Sequence, residues 1–160
     1  MAIMFLLLNG PNLNFLGLRN TKVYGTLTLE QIVRGLQKDA ESLGCEIFPL
    51  QSNHEGVLID NIQQAAKNGF GGIIFNPGGY THTSVALRDA VEIARDLGVP
   101  TVEIHITDIT QREPFRQKSF LSEQPSVVVD TVMGYGHMGY GVALRKLIGH
   151  ILENALPKQP

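Results

Sequence analysis

The sequence predicts an α/β fold, a flavodoxin-like three-layer sandwich whose five-stranded parallel sheet runs in the order 2-1-3-4-5. Three observations carry this reading. Apolar runs of strand length alternate with segments of helical periodicity, the pattern of a parallel sheet with right-handed crossovers. The first run, Ile3 to Asn9, is continuously apolar, as strands covered on both faces are. The unusual polar residues stand just after strands: Asn12, Arg19 and Tyr24; Gln51 and His54; Asn76 and His82; His105, Arg112 and Arg116. Open parallel sheets bind ligands beyond the carboxyl ends of their strands, so this distribution points to an enzyme.

The elements follow in order. Ile3–Asn9 is the first strand, and residues 10–25 make a connection long enough to suggest function. Thr28 and Gln31 have the spacing of a capping box, so a helix starts there and runs to about residue 43. Ile32, Leu36 and Ala40 share its inner face, and Gly44 lies past its end. Residues 45–50 are the second strand. Residues 57–67 are a helix with Leu58, Ile62 and Ala65 or Ala66 inward, stopped by Asn68-Gly69. Gly72–Asn76 is the third strand and residues 84–97 the third helix. Gly98-Val-Pro100 ends that helix and sets up the fourth strand, Thr101–His105. A polar stretch, 106–119, precedes a valine-rich fifth strand at 126–131. Gly134-x-Gly-x-x-Gly139 turns into a last helix that reaches about residue 156, and residues 157–160 read as a frayed tail.

At 160 residues the chain fits one catalytic domain, 1–156, with room for a good core. A net charge of -2 leaves no electrostatic footprint for nucleic acid or an anionic membrane. Cys45 stands alone, which excludes an intramolecular disulfide framework and a cysteine metal cluster. The apolar start lacks a basic leader and is too short to span a bilayer, so it reads as a strand of a cytoplasmic protein.

The most concentrated chemistry lies in Asn76-Pro-Gly-Gly-Tyr-Thr-His-Thr-Ser84, which joins a buried strand to a helix N-terminus, a place that favours anions. No metal site is expected: His54, His82, His105, His137 and His150 have no close ligand pairing. The glycines of 134–139 match the letters of a dinucleotide fingerprint but follow the last strand, and they read as a tight, closely packed turn. A serine nucleophile at Ser84 lacks the strand-elbow motif, and His82 two residues earlier diverges from it. Arg112 and Arg116, four apart, share a face if their stretch is helical and then suit a carboxylate or hydroxyls; a surface turn paired with Glu113 is the plainer alternative. Glu103 and His105 point to one side of a strand, where the carboxylate would orient the imidazole or the two would form a satisfied core pair. Tyr24 stands near Arg19. An unperturbed tyrosine is ionised about one part in a thousand at neutral pH, and nearby guanidinium groups favour the phenolate, which is a competent base.

Asn9-Gly-Pro-Asn-Leu-Asn14, Leu16-Gly17, Arg19 and Tyr24-Gly25 resemble the opening motif of type II 3-dehydroquinate dehydratase. Gln51-Ser-Asn-His-Glu-Gly56, the 76–84 stretch, Ala86-Leu-Arg-Asp-Ala90, Glu103-Ile-His105, Arg112-Glu-Pro-Phe-Arg116 and Gly139-Tyr140 follow that family in order over nearly the whole chain. The resemblance implies a flavodoxin-like subunit in a homo-oligomer, a dodecamer of trimers, and dehydration of 3-dehydroquinate without metal, cofactor or Schiff base. It implies that Tyr24 removes a C2 proton, that Asn12 helps hold a water stabilising the enolate, and that His105, oriented by Glu103, protonates the departing hydroxyl. It places Arg19 on a mobile lid with Tyr24. Asn76, His82, Arg116 and the backbone at Ile106 and Thr107 would bind substrate, Arg112 would add positive potential near the base, and Asp89 would reach a neighbouring subunit's site. Two positions depart from the family pattern. Asn20-Thr21 replaces Glu-Pro on the lid, and Thr107-Asp108 replaces Ser-Asn after the fourth strand. Asp108 is expected either to face the anionic substrate or to turn away and pair with an arginine. A paralogue acting in quinate catabolism or only weakly, and a non-catalytic anion-binding module of the same fold, are the competing readings.

Overall fold

The computed structural model describes residues 1–156; the expected tail at 157–160 lies outside the described residues. Five parallel strands form one sheet: β1 Ile3–Asn9, β2 Cys45–Gln51, β3 Gly72–Asn76, β4 Thr101–His105 and β5 Asp130–Met133, in the order β2-β1-β3-β4-β5. The helices are α1 Thr21–Tyr24, α2 Leu29–Ser42, α3 Glu55–Lys67, α4 Val85–Asp96 and α5 Gly139–Ala155. Side chains alternate across the sheet and divide its core in two. Phe5, Leu7, Ile74 and Ile104 pack on Ile32, Leu36 and Ala40 of α2 and on Ala143, Leu144 and Leu147 of α5. Leu6, Leu8, Ile73 and Phe75 pack on Leu58 and Ile62 of α3 and on Leu87, Val91 and Ala94 of α4. Two helices thus cover each face, and the expected three layers are present.

Local signals end the helices where the sequence places those ends. Thr28 and Gln31 form the reciprocal capping box of α2. Ser84 caps α4, its hydroxyl accepting from Leu87 N at 2.9 Å.

The fifth strand needs correction. The ladder to β4 starts at Val102↔Asp130, so pairing covers Asp130–Met133 rather than 126–131. Val127 is fully buried in the α3–α4 face of the core. The Ser126 hydroxyl meets Leu121 O, Val128 O and Val128 N, holding the valine-rich run in a turn. These valines are apolar because they are buried, and the run joins the ladder only at its end.

The carboxyl ends of β1, β3 and β4 open into one cleft. Loops reach very close there: Gly10 N donates to Asn76 O at 2.7 Å, and a Cβ on Gly10 would lie 2.4 Å from Pro77 O. Only glycine permits that approach.

Candidate active site

The long connection after β1 folds into a 3-10 turn, Leu13–Phe15, and the single-turn helix α1, which sequence periodicity does not show. Asn12 starts the 3-10 turn in the left-handed region at φ 68°, a conformation that asparagine tolerates. Its N–H donates to Asn53 Oδ1 at 3.0 Å, so the loop after β2 fixes it. Tyr24 ends α1 and turns into the cleft. Arg112 Nη1 donates to the Tyr24 phenolic oxygen at 2.9 Å, and the Arg19 guanidinium lies 4.7 Å from the ring centroid. Two cations therefore face one phenol.

The opposite side grows from β3 and β4. Glu103 and His105 share a face of β4, as their i, i+2 spacing requires. Glu103 is fully buried and His105 nearly so. Glu103 Oε1 accepts from His105 Nε2 at 2.6 Å, from Thr81 Oγ1 at 2.6 Å and from Ser119 Oγ at 2.7 Å. Burial pushes the carboxyl up, but the bond to and charge of His105, with the Ser119 and Thr81 hydroxyls, outweigh it and hold Glu103 below its ordinary value. Asn76 ends β3. Its Nδ2 donates to Tyr140 Oη at 3.0 Å, and its Oδ1 accepts from Gly78 N at 3.1 Å. Tyr140 Oη in turn donates to Asn9 Oδ1 at 2.6 Å. Burial raises the Tyr140 hydroxyl pKa, so it remains a neutral donor.

His82 has a fixed tautomer. Its Nδ1 lies 2.7 Å from Lys118 O, and a carbonyl can only accept, so Nδ1 carries the proton. Burial lowers the imidazole pKa, the bond to Lys118 raises it, and His105 and Arg116 lower it; the net direction is down. A neutral His82 then presents Nε2 as an acceptor.

Most of the sequence-predicted site residues come together. Asn12, Arg19, Tyr24, Asn76, His82, His105, Ile106, Thr107, Arg112 and Arg116 all line the cleft, with Glu103 behind His105. Asp89 does not: it is exposed on α4 and turns away from this cleft. Ser84 and Thr83 also stay out, because the Ser84 hydroxyl is taken up as a helix cap. Asn76 and His82 therefore face the cleft, and the start of α4 does not.

The Arg112–Arg116 stretch combines both expectations for it. A 3-10 turn, Pro114–Arg116, carries it. Glu113 Oε2 sits 3.5 Å from Arg112 Nε and 3.1 Å from Arg116 Nε, an ion pair at the rim that leaves both guanidinium groups in the cleft. Asp108 is a correction. It neither lines the cleft nor pairs with an arginine; it accepts from Thr110 N at 2.9 Å and Thr110 Oγ1 at 2.6 Å and caps the following turn. The sequence reading overlooks Pro11, Leu13, Leu16 and Ile109, the apolar lining of the cleft. Leu13 and Leu16 are buried at helical spacing within the opening motif, a signal that was available. Among the described residues no group of three or more His, Cys, Asp or Glu side chains is disposed to hold a metal ion.

Comparison with known proteins places this architecture. The family profile described as dehydroquinase class II matches residues 3–148. The chain belongs to the class II dehydroquinase family. It is 50% identical over 149 residues to the 3-dehydroquinate dehydratase of Gloeobacter violaceus, covering 91% of this chain and 87% of that one. It is 48% identical over 149 residues to catabolic 3-dehydroquinase 2 of Aspergillus flavus, covering 93% and 92%. Among solved structures, the type II dehydroquinase of Butyrivibrio crossotus superposes with a TM-score of 0.86 at 40% identity, covering 92% of this chain and 98% of that one. For a class II dehydroquinase, the pairing of a cation-flanked tyrosine with a buried carboxylate–histidine pair is the arrangement whose chemistry needs explanation.

Proposed function

We propose that this chain is a 3-dehydroquinate dehydratase, a hydro-lyase that converts 3-dehydroquinate to 3-dehydroshikimate and water within the shikimate pathway. One observation carries the reading: a single cleft contains a tyrosine whose oxygen accepts from Arg112, and a histidine backed by a buried carboxylate. These are a base and an acid, as an elimination requires. Tyr24, as phenolate, takes the C2 proton; Arg112 and Arg19 stabilise negative charge at its oxygen. The enolate collects its charge near Asn12 and a water held there. His105 protonates the C1 hydroxyl, which leaves as water on the opposite face. Glu103 stabilises the positive imidazole before transfer.

Arg116 and the Ile106–Thr107 backbone suit the substrate's hydroxyls and carboxylate. Neutral His82, with Nε2 free to accept, suits a hydroxyl rather than a carboxylate. Asn76 has its amide fixed by Tyr140 and Gly78 at the same end of the cleft. Asp89 belongs to a neighbouring subunit's cleft in this reading, within a homo-oligomer built as a dodecamer of trimers. Its position supports that role. Exposed Val85 and Ile93 flank it at four-residue spacing and give α4 an apolar outer stripe around one carboxylate. We take residues 1–156 as one catalytic domain that acts in the cytoplasm; no helix among the described residues is long and apolar enough to cross a membrane.

The test is a rate. Purified protein is mixed with 3-dehydroquinate and a chelator, with no cofactor added, and ultraviolet absorbance of the enone product is followed. A rate that survives the chelator is the expected result. Folded protein without any rate would overturn the assignment.

A further inference from the structure

Two hydroxyls sit behind the Glu103–His105 pair, and counting protons assigns them a job. Ser119 is buried, and its Oγ accepts from Leu121 N at 3.1 Å and Ser122 N at 3.3 Å. Both lone pairs are occupied, so its single proton must be donated, and Glu103 Oε1 lies 2.7 Å away. Thr81 is wholly buried, and its Oγ1 lies 2.6 Å from the same oxygen. The two hydroxyls are 2.9 Å apart, but with both protons directed at Glu103 neither is left for the other. Glu103 Oε1 thus receives two hydroxyl protons and faces His105 Nε2, while Oε2 is buried without a partner. A protonated Glu103 would need an acceptor for its own hydrogen: Ser119 has no lone pair left for it, and Thr81 already directs its own proton at the same oxygen.

We infer that Thr81 and Ser119 are positioning residues that hold Glu103 ionised and at one rotation, and so keep a proton on His105 Nε2 and aim the opposite ring nitrogen at the substrate. Neither hydroxyl lines the cleft, so each reaches the reacting groups through Glu103, while Ser119 also caps the backbone at Leu121 and Ser122. They also connect two loops of the site. Phe120 N donates to Thr81 O at 2.8 Å, and Lys118 O accepts from His82, so residues 118–120 run against residues 81–82. The segment after Arg116 and the loop after β3 are therefore registered on the same carboxylate.

The inference rests on the dehydratase reading, and its test separates the two. Steady-state kinetics across pH are measured for the wild type, Thr81→Val, Ser119→Ala and the conservative Thr81→Ser. Loss of one hydrogen bond to a charged group corresponds to about tenfold. Each deletion should lower kcat by about that factor with KM nearly unchanged. The acid limb of kcat should also move to higher pH, because Glu103 loses donors that favour its ionised form. Thr81→Ser, which retains the hydroxyl, should restore both. A residue that merely supports the fold would lower thermal stability without moving the limb. An active wild type whose deletions keep both kcat and acid limb would overturn the inference and leave the dehydratase reading intact. If the wild type is inactive, imidazole nitrogen NMR of the folded protein still decides: a proton on His105 Nε2 that Ser119→Ala loses supports the clamp, and unchanged spectra refute it.

Discussion

The two walls of the cleft are built by opposite means. The acid wall hangs from β3 and β4, and its polar groups are buried: Glu103 is 0% exposed, Asn76 3% and His105 6%. Each is held by neutral or charged hydrogen bonds to other buried groups. The base wall is the 10–25 connection, where Asn12 and Arg19 are exposed and Tyr24 is half-buried. Its first half is tied down by buried Leu13 and Leu16 and by bonds to Asn76 and Asn53, but its Arg19–Tyr24 half is held mainly by guanidinium contacts. A preorganised wall aims a donor without reorganisation at the moment of reaction. A lightly held wall can open to admit substrate and close to exclude water. The site divides these tasks between sheet and loop.

Removing the chemical group from each wall should have the largest effects and should separate the walls. Tyr24→Phe is expected to lower kcat by roughly 10³-fold, within the range of a lost general base, with substrate affinity and thermal stability nearly unchanged. His105→Ala should lose a comparable rate but also about 2 kcal/mol of stability, because it removes a hydrogen-bond donor from a buried carboxylate. Urea titration beside the kinetics checks both. Equal stability losses in the two variants would erase the contrast between walls.

The next effect is confined to the rigid wall. Tyr140→Phe removes a hydroxyl that joins Asn76 Nδ2 to Asn9 Oδ1, and both amides stay buried. A loss of about 1–3 kcal/mol is expected, the cost of unpaired buried polar groups. It would appear as a lower urea midpoint at unchanged slope. A neutral result would mean that the two amides find other partners.

Acid should loosen the same wall. The Glu103 carboxyl in the fold titrates below its ordinary value of 4.5. Its contribution is therefore fully present above that value and is lost as pH falls through the folded one. His82 is also lowered, from 6.5, so the unfolded chain binds the extra proton first and stability declines as pH drops below that value. Urea midpoints measured from pH 7 downward should fall in both windows, and Glu103→Gln should remove the lower one. A midpoint that stays level to pH 3 would contradict both signs.

What the sequence makes legible follows the same division. Strands β1, β3 and β4 are apolar runs ending in Asn9, Asn76 and His105, and their polar ends mark the cleft directly. Glu103 and His105 are legible because strand alternation puts them on one side. Thr81 and Ser119 are not, because their partner lies 22 and 16 residues away and only burial makes a hydroxyl there indispensable. Tyr140 meets Asn76 across 64 residues, a pairing with no local pattern. The 126–129 run misleads because β-branched burial looks the same with or without a ladder. The single turn of α1 is too short to show a period.

That turn offers the gentlest test of the contrast. Asn20 precedes α1 at φ 33° and ψ 57°, in the left-handed region, and its carbonyl accepts from Val23 N at 2.9 Å and Tyr24 N at 3.1 Å. Thr21 is the first helical residue, where a proline lacks nothing the helix needs. But proline drives the residue before it towards extended backbone, which opposes the conformation of Asn20. Thr21→Pro therefore shifts the anchor of Tyr24 without touching the core. Both kcat and KM are expected to change by roughly threefold, about 0.7 kcal/mol, with thermal stability unmoved because no buried contact is lost. Stopped-flow binding of substrate would locate the change in closure of the connection. If the substitution lowered thermal stability and left kinetics alone, residues 10–25 would belong to the rigid wall, and the lightly held base would need another explanation.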